Sequence, residues 1–216
     1  MLRKYSILIG IVISLLLLFV STLYYPGGSQ YDMNSTGYDW VNNYLSNLFS
    51  EKAVNGSQNL SRPWAVGGMF FLSISFALFF IEFSKNIPDK GASRVIKYFG
   101  ACAMIFAFLA VTPYHDTMIT IADTLALVII FYITIFTFKS KLYFSETLSV
   151  LCMLSGYGCT YIYYTRSYLE VLPIAQKVFL AISILWILWL SYFTNREDFQ
   201  TVKKPNHIEN DQALGH

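Results

Sequence analysis

The sequence carries little charge for its length. Of its 216 residues, 13% are Asp, Glu, Lys or Arg, whereas 55% are hydrophobic and 18% are aromatic. Soluble domains carry about 25% charged residues, and a soluble fold of this size could not bury so much apolar surface. A lipid bilayer can cover that surface. The net charge of +2, without a basic stripe, also excludes a nucleic-acid partner.

Cysteine and histidine are scarce as well, with three of each. All three cysteines lie inside apolar runs, so we interpret them as small hydrophobic residues rather than as a disulfide framework. His207 and His216 belong to a polar C-terminal tail, which leaves His115 alone near the apolar runs. Zinc sites normally need several His or Cys ligands, and the common catalytic motifs are missing. We therefore predict no metal and no cofactor.

Long apolar runs are abundant. A membrane-spanning helix needs about 20 apolar residues, and six runs of that kind are separated by proline- and glycine-containing breaks. The runs cover residues 6–25, 64–83, 94–111, 117–138, 147–165 and 174–194. They predict an all-α integral membrane bundle of six transmembrane helices, which occupies residues 1–194. The polar residues 195–216 have no periodicity and are predicted to form a disordered cytoplasmic tail.

Lys and Arg collect in alternate loops. Eleven of them lie before the first run, after the second and fourth runs, and after the sixth: Arg3, Lys4, Lys85, Lys90, Arg94, Lys97, Lys139, Lys141, Arg196, Lys203 and Lys204. The other loops hold only Lys52, Arg62 and Arg166. By the positive-inside rule, both termini are cytoplasmic, while the first loop and the turn at residues 113–116 face outward. We expect the plasma (inner) membrane as the location.

The first outer loop, residues 26–63, is the longest polar segment between the runs. Its apolar residues recur with helical spacing at Trp40, Val41, Tyr44, Leu45, Leu48 and Phe49. This spacing predicts an amphipathic helix at about residues 38–50, lying in the outer membrane interface. The same loop has Asn-x-Ser/Thr sequons at Asn34, Asn55 and Asn59, on the side where a glycosylating host would modify them.

The turn into the fourth run carries His115 and Asp116, and Asp123 follows seven residues later on the same helix face. A carboxylate at the centre of a membrane helix costs about 2.5–3.5 kcal/mol, so it usually has a partner. Lys177 in the sixth run is at a similar depth. Two arrangements are open: Lys177 pairs with Asp123, or Lys177 reaches the interface and Asp123 is protonated.

Polar residues at the outer surface define a candidate site. The predicted ligand-binding residues are Asp39, Asn43, Ser46, Asn47, His115, Tyr157 and Lys177. The leading hypothesis is that they bind or organise membrane lipid. The alternative is a membrane-embedded lipid hydrolase or transferase that uses His115 with Asp116 or Asp123, since histidine beside a carboxylate can act as a base. A purely structural role is also open, in which Asp116 caps the fourth helix.

Small residues of the third run, Gly100, Ala101, Ala103 and Ala107, form a packing face. Such a face can join helices within one chain, and it could also join two copies in a homo-oligomer. A proton- or ion-coupled carrier that uses Asp123 and Lys177 is a weaker hypothesis, because the sequence has no inverted repeat.

Three short segments resemble a known family. They are residues 44–47 (Tyr-Leu-Ser-Asn), the Arg62-Pro63 pair before the second run, and His115 at the turn into the fourth run. In a six-span chain, this pattern is similar to the superfamily of damage-regulated autophagy modulators, Frag and Sfk membrane proteins and their uncharacterised prokaryotic relatives. Asn47 stands where that family has an acid, and Phe49 where it has a glycine. The resemblance implies a role connected with membrane lipid and specifies no reaction.

Overall fold

The structure is a computed structural model that describes residues 2–203. Six α-helices follow one another along the chain: α1 (Leu2–Leu23), α2 (Arg62–Phe83), α3 (Lys90–Leu109), α4 (His115–Lys139), α5 (Tyr143–Thr165) and α6 (Leu172–Phe193). Three 3-10 helices cover Leu45–Leu48, Ser84–Asn86 and Arg196–Lys203. No β-strand forms within residues 2–203, apart from isolated bridges in the long loop between α1 and α2 (residues 24–61).

Five of these helices, α1, α2, α3, α4 and α6, are long and apolar enough to cross a membrane. The prediction of an all-helical membrane protein is therefore confirmed as far as the length and composition of the helices are concerned. α5 is the exception: serines, threonines, tyrosines and glycines along its length make it less apolar, and two of the serines face α6. The indole N–H of Trp186 donates to Ser149 Oγ at 2.8 Å, and that of Trp189 donates to Ser145 Oγ at 3.1 Å.

Each α-helix packs against the next one in the sequence, and α6 returns to contact α1 and α2. The centre of the bundle is aromatic: Phe79 and Phe80 of α2 lie against Trp186 of α6, with ring centroids 5.7 and 6.5 Å apart. Gly100 of α3 faces the Phe80 ring so closely that even a methyl group would overlap it. Two residues of the small-residue face of α3, Gly100 and the buried Ala103, therefore pack against other parts of the same chain.

The long loop differs from its prediction. The expected helix at about residues 38–50 is replaced by a turn at residues 40–42 and the 3-10 helix Leu45–Leu48. Local side chains bond to the backbone and compete with helix formation. The Asp39 carboxylate accepts from the N–H groups of Val41 and Asn42, and Asn43 Oδ1 accepts from the Asp39 N–H. The periodicity of apolar residues is real, but it reflects burial of Leu48 and Phe49 beneath the loop.

The C-terminal segment also differs from its prediction. Residues 195–216 were expected to be disordered, yet Arg196–Lys203 forms a 3-10 helix. Phe199 from this segment is completely buried, and its ring meets Phe83 edge to face at a centroid distance of 5.6 Å. One aromatic anchor therefore holds a segment whose composition is otherwise polar. The rest of the predicted tail, residues 204–216, lies outside the described residues.

Candidate functional site

A cavity of about 210 Å³ lies in the half of the bundle nearest the long loop. Helices α1, α2, α4, α5 and α6 form its walls with mostly aliphatic and aromatic side chains, among them Leu18, Leu72, Ile119 and Phe179. Leu45, Ser46 and Phe49 of the long loop form its roof. A few polar groups interrupt this apolar lining: Ser46, His115, Asp123, Cys159, Thr160, Tyr163 and Gln176. A concave apolar site with few polar groups is typical of ligand pockets.

The roof is held by two buried asparagines. Asn43 Nδ2 donates to the Gly28 carbonyl at 2.8 Å, which ties the middle of the loop to its start. Asn59 Nδ2 donates to the carbonyls of Asn47 and Ser50, each at 2.9 Å, and to that of Leu48 at 3.3 Å. Both side chains are thus structural, and the sequon at Asn59 has its amide nitrogen fully engaged. The predicted ligand residues Asn43 and Asn47 do not line the cavity.

Lys177 joins α6 to the long loop. Its Nζ donates to the Asn43 carbonyl at 2.6 Å and to the Pro173 carbonyl at 2.9 Å, and it lies 5.5 Å from the centre of the Tyr38 ring. Of the two arrangements that the sequence left open, the structure therefore lacks the Lys177–Asp123 pair, and Lys177 reaches the long loop instead. No ion pair with Asp123 forms among the described residues, and Lys177 does not line the cavity.

Asp39 and Tyr38 lie beside that lysine. The pKa of Asp39 is lowered, chiefly because the Asn42 amide donates a hydrogen bond of 2.7 Å to the carboxylate, with a smaller contribution from the charge of Lys177. Burial raises the pKa of the Tyr38 phenol well above its ordinary value. Asp39 therefore stabilises the folded loop as an anion rather than facing the cavity.

His115 stands at the mouth of the cavity, with a third of its side chain exposed. Its Nδ1 lies 3.1 Å from Asp116 Oδ1. Since a carboxylate only accepts hydrogen bonds, the hydrogen in this contact lies on Nδ1. The interpretation of Asp116 as a helix cap is wrong, because α4 begins at His115 and its N-cap residue, Tyr114, makes no side-chain cap bond.

A second, more open cavity of about 400 Å³ lies on the other side of His115. We call it the vestibule; besides His115 it is lined by Ser46, Phe49, Ser50, Glu51, Arg62, Ala110, Val111, Thr112 and Pro113. Arg62 and Glu51 form an ion pair there, with Nη1 and Oε1 3.3 Å apart. Ser46 and His115 contribute to both spaces. The inner cavity is almost entirely apolar and the vestibule is more polar, so together they match the two ends of an amphiphile.

Asp123 faces the inner cavity without a partner. Among the described residues, no hydrogen bond or ion pair reaches the Asp123 carboxyl group. The Oε1 atom of Gln176 is buried and also has no hydrogen-bond partner. The sequence predicts Asp123 as a site residue but not Gln176, although Gln176 is also a polar residue in an apolar run.

Tyr157 was predicted to bind the ligand, but half of its side chain, 51%, is exposed and it does not line the cavity. The reason is its direction on α5: Gly156 and Cys159 face the cavity, and Tyr157 lies on another face of the helix. The structure thus brings together Ser46, His115 and Asp123 from the predicted site residues. It places Asp39, Asn43, Asn47, Asp116, Tyr157 and Lys177 elsewhere.

Fold and site together define a class: an all-helical protein with five helices able to cross a membrane and an apolar cavity beneath a folded loop. Within residues 2–203, no three His, Cys, Asp or Glu side chains lie close enough to hold a metal ion. No family model matches the chain, and no curated protein or solved structure matches it either.

Proposed function

We propose that all six α-helices cross the membrane, including α5. Its 23 residues extend about 35 Å at 1.5 Å per residue, more than the bilayer core of about 30 Å. At one end of α5, Tyr164 donates a hydrogen bond to Thr120, near the start of α4. At its other end, Ser145 accepts from Trp189, near the end of α6. These contacts support a helix that runs the full height of the bundle.

With six spans, the chain ends lie on one side. The positive-inside rule places them in the cytoplasm, because the short loops at that end carry most of the Lys and Arg residues. The long loop, the vestibule and His115 then face outward. We keep the plasma (inner) membrane as the proposed location.

Within that topology, the function best supported is binding of a membrane lipid or a similar amphiphile. The observation that carries this proposal is the cavity of about 210 Å³, which has apolar walls and shares Ser46 and His115 with the more polar vestibule. Ligand pockets in proteins measure about 300–1,000 Å³. The inner cavity therefore suits one aliphatic chain rather than a whole lipid, with the polar end of the ligand at Asp123 or in the vestibule.

A cavity-filling variant tests this proposal. Ala126 of α4 lines the cavity, and Ala126→Phe should occupy the space that an aliphatic chain would take. Ala181→Phe is the matched control, since Ala181 is exposed on α6. Each protein is purified through detergent exchange, and its retained lipid is measured by mass spectrometry. Wild type and Ala181→Phe should retain a defined lipid and Ala126→Phe should lose it. Equal retention in all three would reject the cavity as the binding site.

Lipid hydrolysis or transfer is a second candidate, and the His115–Asp116 contact favours it. A carboxylate that holds Nδ1–H orients the ring so that Nε2 can take a proton from a nucleophile. This proposal predicts turnover of a lipid ester by the purified protein, and none by His115→Gln. Under the binding proposal, mass spectrometry should find the same lipid before and after incubation.

The resemblance to the autophagy-modulator, Frag and Sfk group remains a proposal, with one supporting observation. The three segments that carry it meet around the vestibule, which Ser46, Arg62 and His115 all line. Three short motifs far apart in sequence thus share one location beside the cavity. A homo-oligomer through small-residue faces likewise stays a prediction.

A further inference from the structure

An unpartnered carboxyl group in an apolar cavity restricts the ligand that can enter. We propose that the cavity binds an aliphatic amine, with its ammonium group at the Asp123 carboxylate. The inference rests on the proposed function, because it assumes that the cavity holds an aliphatic chain, and it adds the chemistry of the polar end. It rests on geometry: Asp123 of α4 lines the cavity, and among the described residues no hydrogen bond or ion pair reaches its carboxyl group.

The hydrogen-bonding needs of this group point to a donor. An ionised carboxylate only accepts hydrogen bonds, and it does so through two oxygens. An ammonium group brings three N–H donors and no acceptor. It can therefore donate to both carboxylate oxygens, whereas a hydroxyl group has only one hydrogen to donate.

The charges around the cavity point to a cation. A carboxylate inside a membrane bundle normally has a positive partner, and the nearby cations of this chain are occupied elsewhere. Lys177 donates to the carbonyls of Asn43 and Pro173, and Arg62 pairs with Glu51 in the vestibule. His115 contacts Asp116. The positive charge is thus left for the ligand to supply, and a carboxylic acid would be repelled.

The apolar walls select the rest of the molecule. Leu72, Leu127, Phe179 and Leu180 surround the cavity and would contact an alkyl chain. A small hydrated metal cation would gain nothing from these side chains, and two protein oxygens are far fewer than the six or more that Ca²⁺ or Mg²⁺ requires. A linear alkylammonium combines the required charge, donors and apolar surface.

The test uses three probes with the same chain: dodecylamine, dodecanol and dodecanoic acid. The full-length protein is purified in detergent at neutral pH, and its thermal unfolding temperature is measured with increasing amounts of each probe. A ligand that binds only the folded state raises that temperature. Dodecylamine should stabilise wild type most and dodecanoic acid least. Asp123→Asn keeps the shape of the side chain and should weaken the response to dodecylamine at least about tenfold.

Controls separate this inference from the proposed function. Glu170→Gln removes an exposed acid outside the cavity and should leave the response to dodecylamine unchanged. Asp123→Ser is a second variant, which also removes the negative charge and should weaken that response if Asp123→Asn fails to fold.

The outcomes are distinct. If dodecylamine and dodecanol stabilise wild type and Asp123→Asn equally, while Ala126→Phe abolishes both effects, the cavity binds chains and the amine proposal is wrong. If Ala126→Phe responds to every probe as wild type does, the proposed function itself fails. If dodecylamine alone raises the unfolding temperature of wild type, and this effect is lost in Asp123→Asn and in Ala126→Phe, both proposals hold.

Discussion

A single lysine decides how the long loop is attached to the bundle. Lys177 begins inside the apolar α6, yet its ammonium group ends among backbone carbonyls and beside the Tyr38 ring. The long side chain can cross apolar surface while its charge reaches polar partners. This arrangement leaves Asp123 unpaired in the cavity. Lys177 therefore affects both the loop that roofs the cavity and the pairing of the acid inside it.

We predict that Lys177→Met loosens the long loop without disrupting the helices. Methionine keeps the aliphatic stem but removes the donor to the Asn43 carbonyl, and hydrogen bonds to charged groups are worth about 1.5–3 kcal/mol. Limited proteolysis within residues 24–61 should accelerate, and the unfolding temperature should fall. The exposed Lys90→Met serves as the matched control and should behave as wild type. Unchanged proteolysis in Lys177→Met would contradict a tethering role.

Asn59 supports a second prediction at this scale. Its side chain satisfies three carbonyls, and its Oδ1 accepts from Ser61. Removing it leaves buried acceptors unpaired, at a cost of about 1–3 kcal/mol. Asn59→Ala should therefore lower the unfolding temperature of the purified protein, whereas the exposed Asn34→Ala should not. A similar temperature for the two variants would show that the Asn59 bonds contribute little.

Among the elements, α5 is unusual because it is less apolar than the other five membrane-length helices, although it packs against both α4 and α6. Its buried serines, Ser145 and Ser149, are paired with indole N–H groups of α6. Polar pairs of this kind join helices where water is absent. Together with its tyrosines, threonines and glycines, these serines lower the mean hydropathy of α5, although their hydroxyl groups are already paired.

Ser149→Ala tests this pairing. The Trp186 N–H would lose its acceptor in the bundle core, and interhelical hydrogen bonds in membrane proteins contribute about 0.6–1.7 kcal/mol. Thermal unfolding in detergent should show a loss of that order. Thr147→Ala, on the exposed face of the same helix, should cause no comparable loss. Equal effects of the two substitutions would argue against a special role for the α5–α6 contact.

At the scale of the whole molecule, the topology controls where the candidate site opens. If α5 crosses the membrane, the turn after it lies on the same side as the long loop, and the cavity opens away from the chain ends. If α5 did not cross, the segment that connects it to α6 would lie on the opposite side from the long loop. The position of Ser167, just after α5, therefore distinguishes six spans from five.

Cysteine labelling measures this directly. The three native cysteines are replaced, and single cysteines are introduced at Ser57, Lys90 or Ser167, all exposed. In intact cells, an impermeant maleimide should label Ser57→Cys and Ser167→Cys, because both are predicted to face outward. Lys90→Cys should react only after the membrane is permeabilised. If Ser167→Cys, like Lys90→Cys, reacts only after the membrane is permeabilised, the six-span topology is rejected.

Much of this protein follows from the sequence alone. The apolar runs and the breaks between them gave the positions of all six α-helices, because a bilayer-length helix leaves a strong and local signal. His115 and Asp123 were also found in this way, since polar groups next to or inside an apolar run are conspicuous. These features depend on residues close together in the chain.

The tertiary structure decided everything that depends on residues far apart. Periodicity suggested a helix at about residues 38–50, but bonds from Asp39 and Asn43 and the burial of Leu48 folded a compact loop there. Lys177 could have paired with Asp123, but its ammonium group donates to the carbonyls of Asn43 and Pro173 instead. Only packing brings Gln176 of α6 and Asp123 of α4 into the lining of one cavity. Side-chain direction and long-range hydrogen bonds select among arrangements that have the same hydrophobic pattern.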